Sequence, residues 1–461
     1  MAEREHLHFL GISGHAMRGV AAACRERGYT VTGTDEGAYP PGSDWLDRRG
    51  LTWWRTADPA HVKDVSTVIV SGHAPPDHPE LLEAQRRGIP VISFAELVGQ
   101  LTKQGRRIVI AGTHGKTTTT SLLAWTFEVA GRRPDYLVGI EPRNFDTGVR
   151  LAGSDLAVIE GDEYRSSRLE DTSKFTHYRP DVLALTSIEH DHPDFFADLA
   201  AVRTRFAELV AGLPPEGRLF YWQGSGTVRA VAETFTGDRQ AYGLSGAEWH
   251  PEHPRYDEEG IRYVLKHHND TLGEIRIPLY GEHNVVNSVA AAAIALNESV
   301  PFESIVKAFA GFKGASRRFE RVSAHDAAVT VLDDYAHHPT EAKTTIAAAK
   351  LHFPGRVIAV YQPHTYSRTE KLLKEYHAAF GDADRAFITA IESARERGTD
   401  HTVTGADVAA GAGRRVTYIE GRGELLEAVV KEARPGDVVL SMSVGGNDGF
   451  ASELARRLAA A

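Results

Sequence analysis

Residues 111–125 read AGTHGKTTTTSLLAW and follow directly on the apolar run IVI at 108–110. A strand that breaks at glycine and re-enters a helix is built to hold phosphate. Gly112 and Gly115 let backbone N–H groups approach phosphate oxygens, Lys116 adds a positive charge, and the start of the helix favours an anion. Thr117 is placed to hold Mg2+, and Thr113, His114 and Thr118 complete the loop. The pattern is shorter than the full G-x-x-x-x-G-K-[ST], because Ile110 stands where that pattern has its first glycine.

Toward the N-terminus, HLHFLGISG (6–14) reads as a strand entering a glycine turn, and GVAAACRERG (19–28) as a helix closed by Gly28. YTVTGTD (29–35), STVIVSG (66–72) and IPVISF (89–94) read as further strands, alternating with helical stretches such as ELLEAQRRG (80–88). The first hundred residues are therefore expected to form a parallel α/β unit. The charged link LTKQGRR (101–107) closes it. Beyond the phosphate loop, LAVIE (156–160) and VLALTSI (182–188) read as strands, and NVVNSVAAAAIALNES (284–299) reads as a helix. The polar, basic FKGASRRFE (312–320) marks a second boundary. AAVTVLDDYA, RVIAVYQP, RAFITAI and DVVLSMSV then supply the strands of a third α/β unit. The expected domains are 1–105, 106–316 and 317–461.

The composition excludes several classes of function. The chain has 461 residues, 42% hydrophobic and 25% charged, a mixture that supports ordinary globular cores. Its net charge of -10 lacks the basic excess that a nucleic-acid backbone favours. No apolar stretch is long enough for a signal peptide or a membrane span. The single cysteine, Cys24, suits a reducing compartment, so the cytoplasm is expected. No short repeat or low-complexity tract is present.

Several other segments carry chemistry. EGDEYRSS (160–167) places Glu163 after a strand, where its oxygens can bind Mg2+; Glu160 and Asp162 are neighbours able to take the same role. The run Glu189-His190-Asp191-His192 suits either Mg2+ or, taken alone, a transition metal. In GEHNVVN (281–287), Asn284 and Asn287 lie one turn apart, so two amides can face one ligand. Arg318 sits at a domain hinge, where its charge can stabilise a transferring phosphoryl group. Gly11, Ser13, Gly14 and His15 form a glycine turn, with Asp35 closing the next strand. This departs from the G-x-G-x-x-G of dinucleotide sites. His337, His364 and Arg368 fall in DYAHHPTE and QPHTYSRT at strand ends, where open α/β sheets gather ligands.

Taken in order, G-T-x-G-K-T, EGDEYRSS, SIEHDHPD, GEHNVVNSVAAAAI, RRFE and DDYAHHPTE resemble the Mur ligase family across nearly the whole chain. The resemblance implies three α/β domains: a Rossmann-like N-terminal domain for a UDP-sugar, a P-loop ATPase-like central domain, and a Rossmann-like C-terminal domain for the amine. It implies ATP and Mg2+ as cofactors, with Thr117, Glu163 and His192 as metal ligands. It assigns His283, Asn284 and Asn287 to the adenine, Arg318 to the phosphates and Asp334 to the ribose. Gly11, Ser13, Gly14, His15, Asp35 and His73 go to the UDP-sugar, and His337, His364 and Arg368 to the incoming amine. Lys116, Glu163, His192, His337 and Arg368 form its catalytic set.

The implied reaction joins the carboxylate of UDP-N-acetylmuramate to an amino acid or short peptide through an acyl-phosphate. No covalent protein nucleophile is needed. A monomer or weak homo-oligomer is expected. Two branches of the family compete for the amine. YPPGSDWL, RNFDTGVRL, SKFTHYRPD and the late GGNDGF resemble the branch that attaches a preformed L-alanyl-γ-D-glutamyl-meso-diaminopimelate peptide. YQPHTYSRT and DDYAHHPTE resemble the branch that adds L-alanine. Tyr164 and Arg165, in place of serine and aspartate beside Glu163, favour the peptide branch, while Ser187 replaces an asparagine common before the I-E-x-D-H run. A folate- or polymer-type amide ligase, or a nucleotide sensor without turnover, would share the phosphate loop but lack the glycine-turn domain or the metal ligands.

Overall fold

The computed structural model describes residues 5–192, 195–393, 396, 401–445 and 449–460. Gly446, Asn447 and Asp448 of the GGNDGF segment lie outside the described residues, as do Pro193 and Asp194 after the EHDH run.

Three sheets follow one another along the chain. The first is wholly parallel, with His6–Leu10 at its centre, Thr30–Thr34 and Thr52–Trp54 on one side, and Thr67–Val70 and Val91–Ser93 on the other. That order matches one half of a doubly wound dinucleotide fold extended by further strands. Helix His15–Glu26 ends just before Gly28, whose φ is 94°. The expected strand at 89–94 is shorter than its apolar run. Ser93 accepts a hydrogen bond from Glu96 N at 3.2 Å and caps a helix that begins at Phe94.

The central sheet has ten strands, and its parallel part runs Asp238–Tyr242, Arg218–Trp222, Val182–Leu185, Arg106–Ala111, Leu156–Gly161 and Asp135–Leu137. Beyond it lies an antiparallel extension, Trp249–Asp257, Gly260–His267 and Asp270–Ile277, that the strand–helix reading did not anticipate. Its turn signals are short and polar, Glu258-Glu259 and His268-Asn269, and so easily taken for loop. The third sheet places Val438–Met442 between Thr330–Asp334 and Val357–Tyr361, again parallel. Among the described residues, no helix is long and apolar enough to cross a membrane.

The first two sheets share one apolar core. Phe9, Val20 and Val98 from the first unit pack in one cluster with Val109, Phe175 and Phe206 from the second. The approach is close: a Cβ on Gly99 would stand 2.3 Å from the carbonyl oxygen of His177. Burial of each large apolar side chain contributes about 1.5–3 kcal/mol, so this junction is a firm one. The third unit has its own two cores, around Leu332 and Val331 on opposite faces of its sheet.

Candidate active site

Strand Arg106–Ala111 ends in the phosphate loop. Gly112 has φ 146° and Gly115 φ 83°. A Cβ at Gly112 would lie 2.1 Å from Thr186 Oγ1, and one at Gly115 2.5 Å from Asn287 Oδ1, so space as well as conformation demands glycine. Helix Lys116–Val129 starts behind the turn without a side-chain cap, leaving its first N–H groups for an anion. Ser187 braces the loop from the next strand end. Its Oγ accepts from His114 N at 2.8 Å, and its carbonyl accepts from Thr113 N at 2.8 Å.

Lys116 Nζ donates to Gly112 O at 2.5 Å, Thr113 O at 3.2 Å and Glu163 Oε2 at 2.9 Å. Burial opposes the ammonium charge, but the carboxylates of Glu163, Asp162 and Glu160 outweigh it and raise the Lys116 pKa. The three acidic neighbours have separate tasks. Thr117 Oγ1 donates to Glu160 Oε1 at 2.6 Å, so the hydroxyl expected beside Glu163 is bonded instead to Glu160. Burial, reinforced by Asp162, pushes the Glu160 carboxyl upward. Asp162 pairs with Lys174 at 3.2 Å, and Glu163 faces Lys116 and His192.

Glu163, Asp191 and His192 bring one ligand atom each within 4.8 Å of one another. Glu163 Oε1 lies 3.7 Å from His192 Nε2 and is buried with no hydrogen-bond partner among the described residues. An uncompensated buried oxygen of this kind is costly, and a divalent cation would satisfy it. Two carboxylates with one imidazole fit Mg2+ that keeps part of its water shell. His192 holds φ at 52°, a conformation rare outside glycine and retained where a site requires it. Asp191 belongs to the metal-type run Glu189–His192 of the sequence but not to the ligand set Thr117, Glu163 and His192 that the resemblance implied, and here it stands beside Glu163 and His192.

The third domain meets this region through polar groups. Arg368 Nε and Nη2 reach Asp191 Oδ1 at 2.9 and 2.8 Å, with both residues buried. Burial raises the Asp191 pKa, yet the charges of His192 and Arg368 outweigh it and hold the carboxyl well below its ordinary range. His114 Nδ1 stands 3.2 Å from Glu341 Oε1, and Thr340 Oγ1 donates to Glu189 Oε2 at 2.7 Å. Burial works against a charge on His114. Hydrogen bonds to Glu189 and Glu341 prevail and raise its pKa to about 10.

At the expected nucleotide side, Asn284 Nδ2 donates to Tyr280 O at 2.8 Å, and Asn287 Nδ2 donates to Asn284 Oδ1 at 3.0 Å. The two amides therefore engage each other rather than presenting both heads to one ligand. Burial presses the His283 pKa down to about 4. Of the two hinge arginines, Arg317 is bound into the third domain through Asp333 and the carbonyls of Ser443 and Val444. Arg318 Nε is buried and without a hydrogen-bond partner among the described residues. Asp334 spends both oxygens on backbone, accepting from Phe319 N at 2.7 Å and Ala336 N at 2.8 Å. It fastens the hinge to its strand, and burial raises its carboxyl to about 6.

A cavity of about 1170 Å3 opens where the three domains meet. It takes in the phosphate loop from Thr113 to Thr118, Glu163, His192, His283, Asn284, Asn287, Arg318, Asp334, His337, His364 and Arg368, together with His73 of the first domain. Gly11, Ser13, Gly14, His15 and Asp35 lie outside its lining. There Asp35 Oδ2 accepts from Ser13 N at 3.0 Å and Ser13 Oγ at 2.5 Å, closing the glycine turn upon itself.

Comparison with known proteins decides the family. Residues 6–106 match the Mur ligase family catalytic domain, 110–295 the Mur ligase middle domain, and 317–445 the Mur ligase glutamate ligase domain. The chain belongs to the Mur ligase family. It is an ATP-dependent ligase that forms an amide bond, and it serves the synthesis of peptidoglycan. A UDP-N-acetylmuramate–L-alanine ligase of Rubrobacter xylanophilus is 38% identical over 460 residues, covering 98% of this chain and 100% of that protein. The UDP-N-acetylmuramate–alanine ligase of Thermotoga maritima superposes with TM-score 0.78 at 20% identity, over 98% of each chain. A murein peptide ligase of Psychrobacter arcticus superposes with TM-score 0.71 at 26% identity, over 99% of each.

These relatives favour the alanine-adding branch over the peptide branch that Tyr164 and Arg165 suggested. Tyr164 bonds Lys174 through its hydroxyl at 2.8 Å and lies 5.0 Å from the His192 ring, while Arg165 covers the Phe195 ring at 5.0 Å. Both are engaged within the central domain.

Proposed function

We propose that this Mur ligase joins the lactyl carboxylate of UDP-N-acetylmuramate to the amino group of L-alanine, with ATP converted to ADP and phosphate. The observation that carries the reading is the single cavity in which the phosphate loop, the Glu163–Asp191–His192 cluster and the strand-end groups His337, His364 and Arg368 meet. The relatives named for L-alanine span the chain from end to end, which supports that amine. Soluble nucleotide substrates suit a cytoplasmic enzyme.

A carboxylate does not acylate an amine at neutral pH until it carries a leaving group. In this reading the sugar carboxylate attacks the γ-phosphorus of ATP in line, ADP departs, and an acyl-phosphate forms. The amine then attacks the acyl carbon, and the tetrahedral intermediate expels phosphate. Lys116 and Arg318 neutralise the phosphate oxygens as charge moves toward the leaving group. Glu163, Asp191 and His192 would hold Mg2+, which supplies further charge neutralisation when bound.

His337 orients rather than deprotonates. Burial lowers its pKa to about 4, and its Nδ1 lies 3.0 Å from Tyr335 O, so the ring is neutral and fixed in tautomer and direction. The amine proton goes to water or to the departing phosphate. Arg368, held by Asp191, ties the third domain to the cluster while its neighbour His364 faces the cavity.

A second reading replaces L-alanine by the L-alanyl-γ-D-glutamyl-meso-diaminopimelate peptide. Arg165 and Arg168 on the cavity wall favour it, because two guanidiniums suit a substrate with several carboxylates. Phosphate release with UDP-N-acetylmuramate and ATP, run in parallel with L-alanine and with the tripeptide and read alongside product mass, separates the two. Turnover with the tripeptide alone would transfer the assignment to the second reading, and amide product from neither would defeat both.

A further inference from the structure

Away from the cavity, the antiparallel extension of the central sheet carries a second group of ligand-type side chains. His267 ends strand Gly260–His267, His268 occupies the turn after it, and Glu248 precedes strand Trp249–Asp257. One ligand atom from each of the three lies within 4.8 Å of the others, and among the described residues no ion pair joins them. Their side chains stand close without bonding one another, and Glu248 Oε1 accepts only a long bond from Ala241 N at 3.5 Å. None of the three lines the main cavity.

The frame is built in advance. The His267 ring stacks on Trp249 at 3.9 Å with an interplanar angle of 14°. Trp249 is itself buried, and its Nε1 donates to Gln240 Oε1 at 2.9 Å. Trp249 and His267 are also paired residues of the ladder, so the platform and the ring move together. His268 has φ 51°, and its N–H donates to the carbonyl of Glu248 at 2.7 Å, which pins the hairpin turn to the segment carrying the carboxylate. The two imidazole rings then stand 4.6 Å apart.

We propose that Glu248, His267 and His268 form a peripheral binding site for a borderline divalent transition cation such as Zn2+, clipping the hairpin turn to the start of the neighbouring strand. Two imidazoles with one carboxylate are the donor set that prefers Zn2+, Co2+ or Ni2+ to the hard Mg2+ of the active site. Ligand bonds of roughly 2.0–2.2 Å around Zn2+ require the donors to draw closer than they now stand. Glu248 and the exposed His268 can rotate to do so, whereas His267 is held on its indole. Water would complete the coordination on the open side.

The test is calorimetric titration of the full-length protein with Zn2+, in excess Mg2+ and ADP to occupy the active-site cluster. The expected result is one binding event that weakens at least tenfold in His268→Ala and in Glu248→Gln, each retaining wild-type ligase turnover with Mg2+. Both substitutions are at partly exposed or exposed positions and preserve the ladder, and a thermal melt of each variant without Zn2+ verifies folding. Equal Zn2+ affinity in wild type and both variants, or no Zn2+ uptake by the wild type under these conditions, would overturn the proposal.

Discussion

Replacing Arg368 with methionine tests how the third domain is held against the other two. The substitution keeps much of the aliphatic stem and removes the fork that reaches Asp191 at 2.9 and 2.8 Å. Asp191 is then left buried with its arginine charge gone. Breaking a buried ion pair by removal of one partner costs about 3–5 kcal/mol. Because the pair spans two domains with separate cores, the cost falls on domain closure rather than on the folding of either domain. At about 1.4 kcal/mol per power of ten, kcat/KM should fall by roughly two to three and a half powers of ten. The assay is steady-state phosphate release, paired with small-angle scattering of the nucleotide- and sugar-bound enzyme in the absence of amine. A clamp predicts that compaction is lost before any amine is added, while the melting temperature stays near the wild-type value. Arg368→Lys, with the charge but not the fork, should fall between the two. If Arg368→Met kept kcat/KM within threefold and compacted like wild type, the argument for a domain clamp would fail.

Lys116→Ala should lower acyl-phosphate formation by at least about a thousandfold, the scale of losing preorganised charge at a transferring phosphoryl group, while UDP-sugar affinity stays near wild type; phosphate release and direct sugar titration check both. Gly115→Ala places a methyl group 2.5 Å from Asn287 Oδ1 at φ 83°, and should weaken ATP binding more than UDP-sugar binding, as read by separate titrations of the two. Thermal stability should peak near pH 6.5. His337 and His338, both pressed to about 4 by burial, contribute stability above the ordinary histidine pKa that is lost as pH falls toward 4. His114, raised to about 10, contributes stability present below that ordinary value and lost as pH rises toward 10. Melting curves across that range, in wild type and His114→Gln, should show the alkaline limb flatten in the variant; an unchanged limb would contradict the charge assigned to His114. Glu80→Leu in the first domain removes the carboxylate that joins His8 at 3.0 Å and His61 at 2.7 Å, and should cost a few kcal/mol in denaturant unfolding, since buried His8 and Thr34 and half-buried His61 lose their common partner.

The readable parts of the sequence were those in which one segment carries its own explanation. A strand, two glycines, a lysine and a threonine run define the phosphate loop within fifteen residues, and Thr113 to Thr118 line the cavity while Gly112 shapes the turn behind them. His337 and His364 were placed by the rule that ligands gather at strand ends, and both do face that space. What escaped depends on pairings between distant segments. Thr117 selects Glu160 over Glu163 because strand Leu156–Gly161 lies parallel beside Arg106–Ala111, with Glu160 level with Ile110. Asp191 and His192 meet Glu163 from a segment beyond the next strand of the sheet, and no residue type near His192 announces its left-handed conformation. The hairpins at 249–277 were hidden for a different reason. Their alternation of polar and apolar side chains is interrupted by bulges in both ladders, which blurs the two-residue period on which the reading relies.

The distribution of apolar and polar junctions has a mechanistic consequence. The first two domains are joined by a shared hydrophobic core, so the glycine turn of the first and the phosphate loop of the second keep a nearly fixed separation. The third domain meets them at two seams: an aromatic one, where Tyr280 packs on Phe319 and Phe353 beside His352, which bonds Gly281 N and Asp257 O, and a polar one beside the phosphate loop, formed by Arg368–Asp191, Thr340–Glu189 and His114–Glu341, which are directional and exchangeable with water once parted. Every one of those three contacts ends on the phosphate loop or on the run Glu189–His192. On the proposed reading, the elements that would meet the nucleotide are therefore the ones that receive the domain assigned to the amine. Ordering of the loop by ATP should align both halves of this seam at once, so that the amine site is completed only after the group to be transferred is in place. This order protects the acyl-phosphate, because a domain that closed first would bar the sugar carboxylate, and one that never closed would leave the mixed anhydride to water.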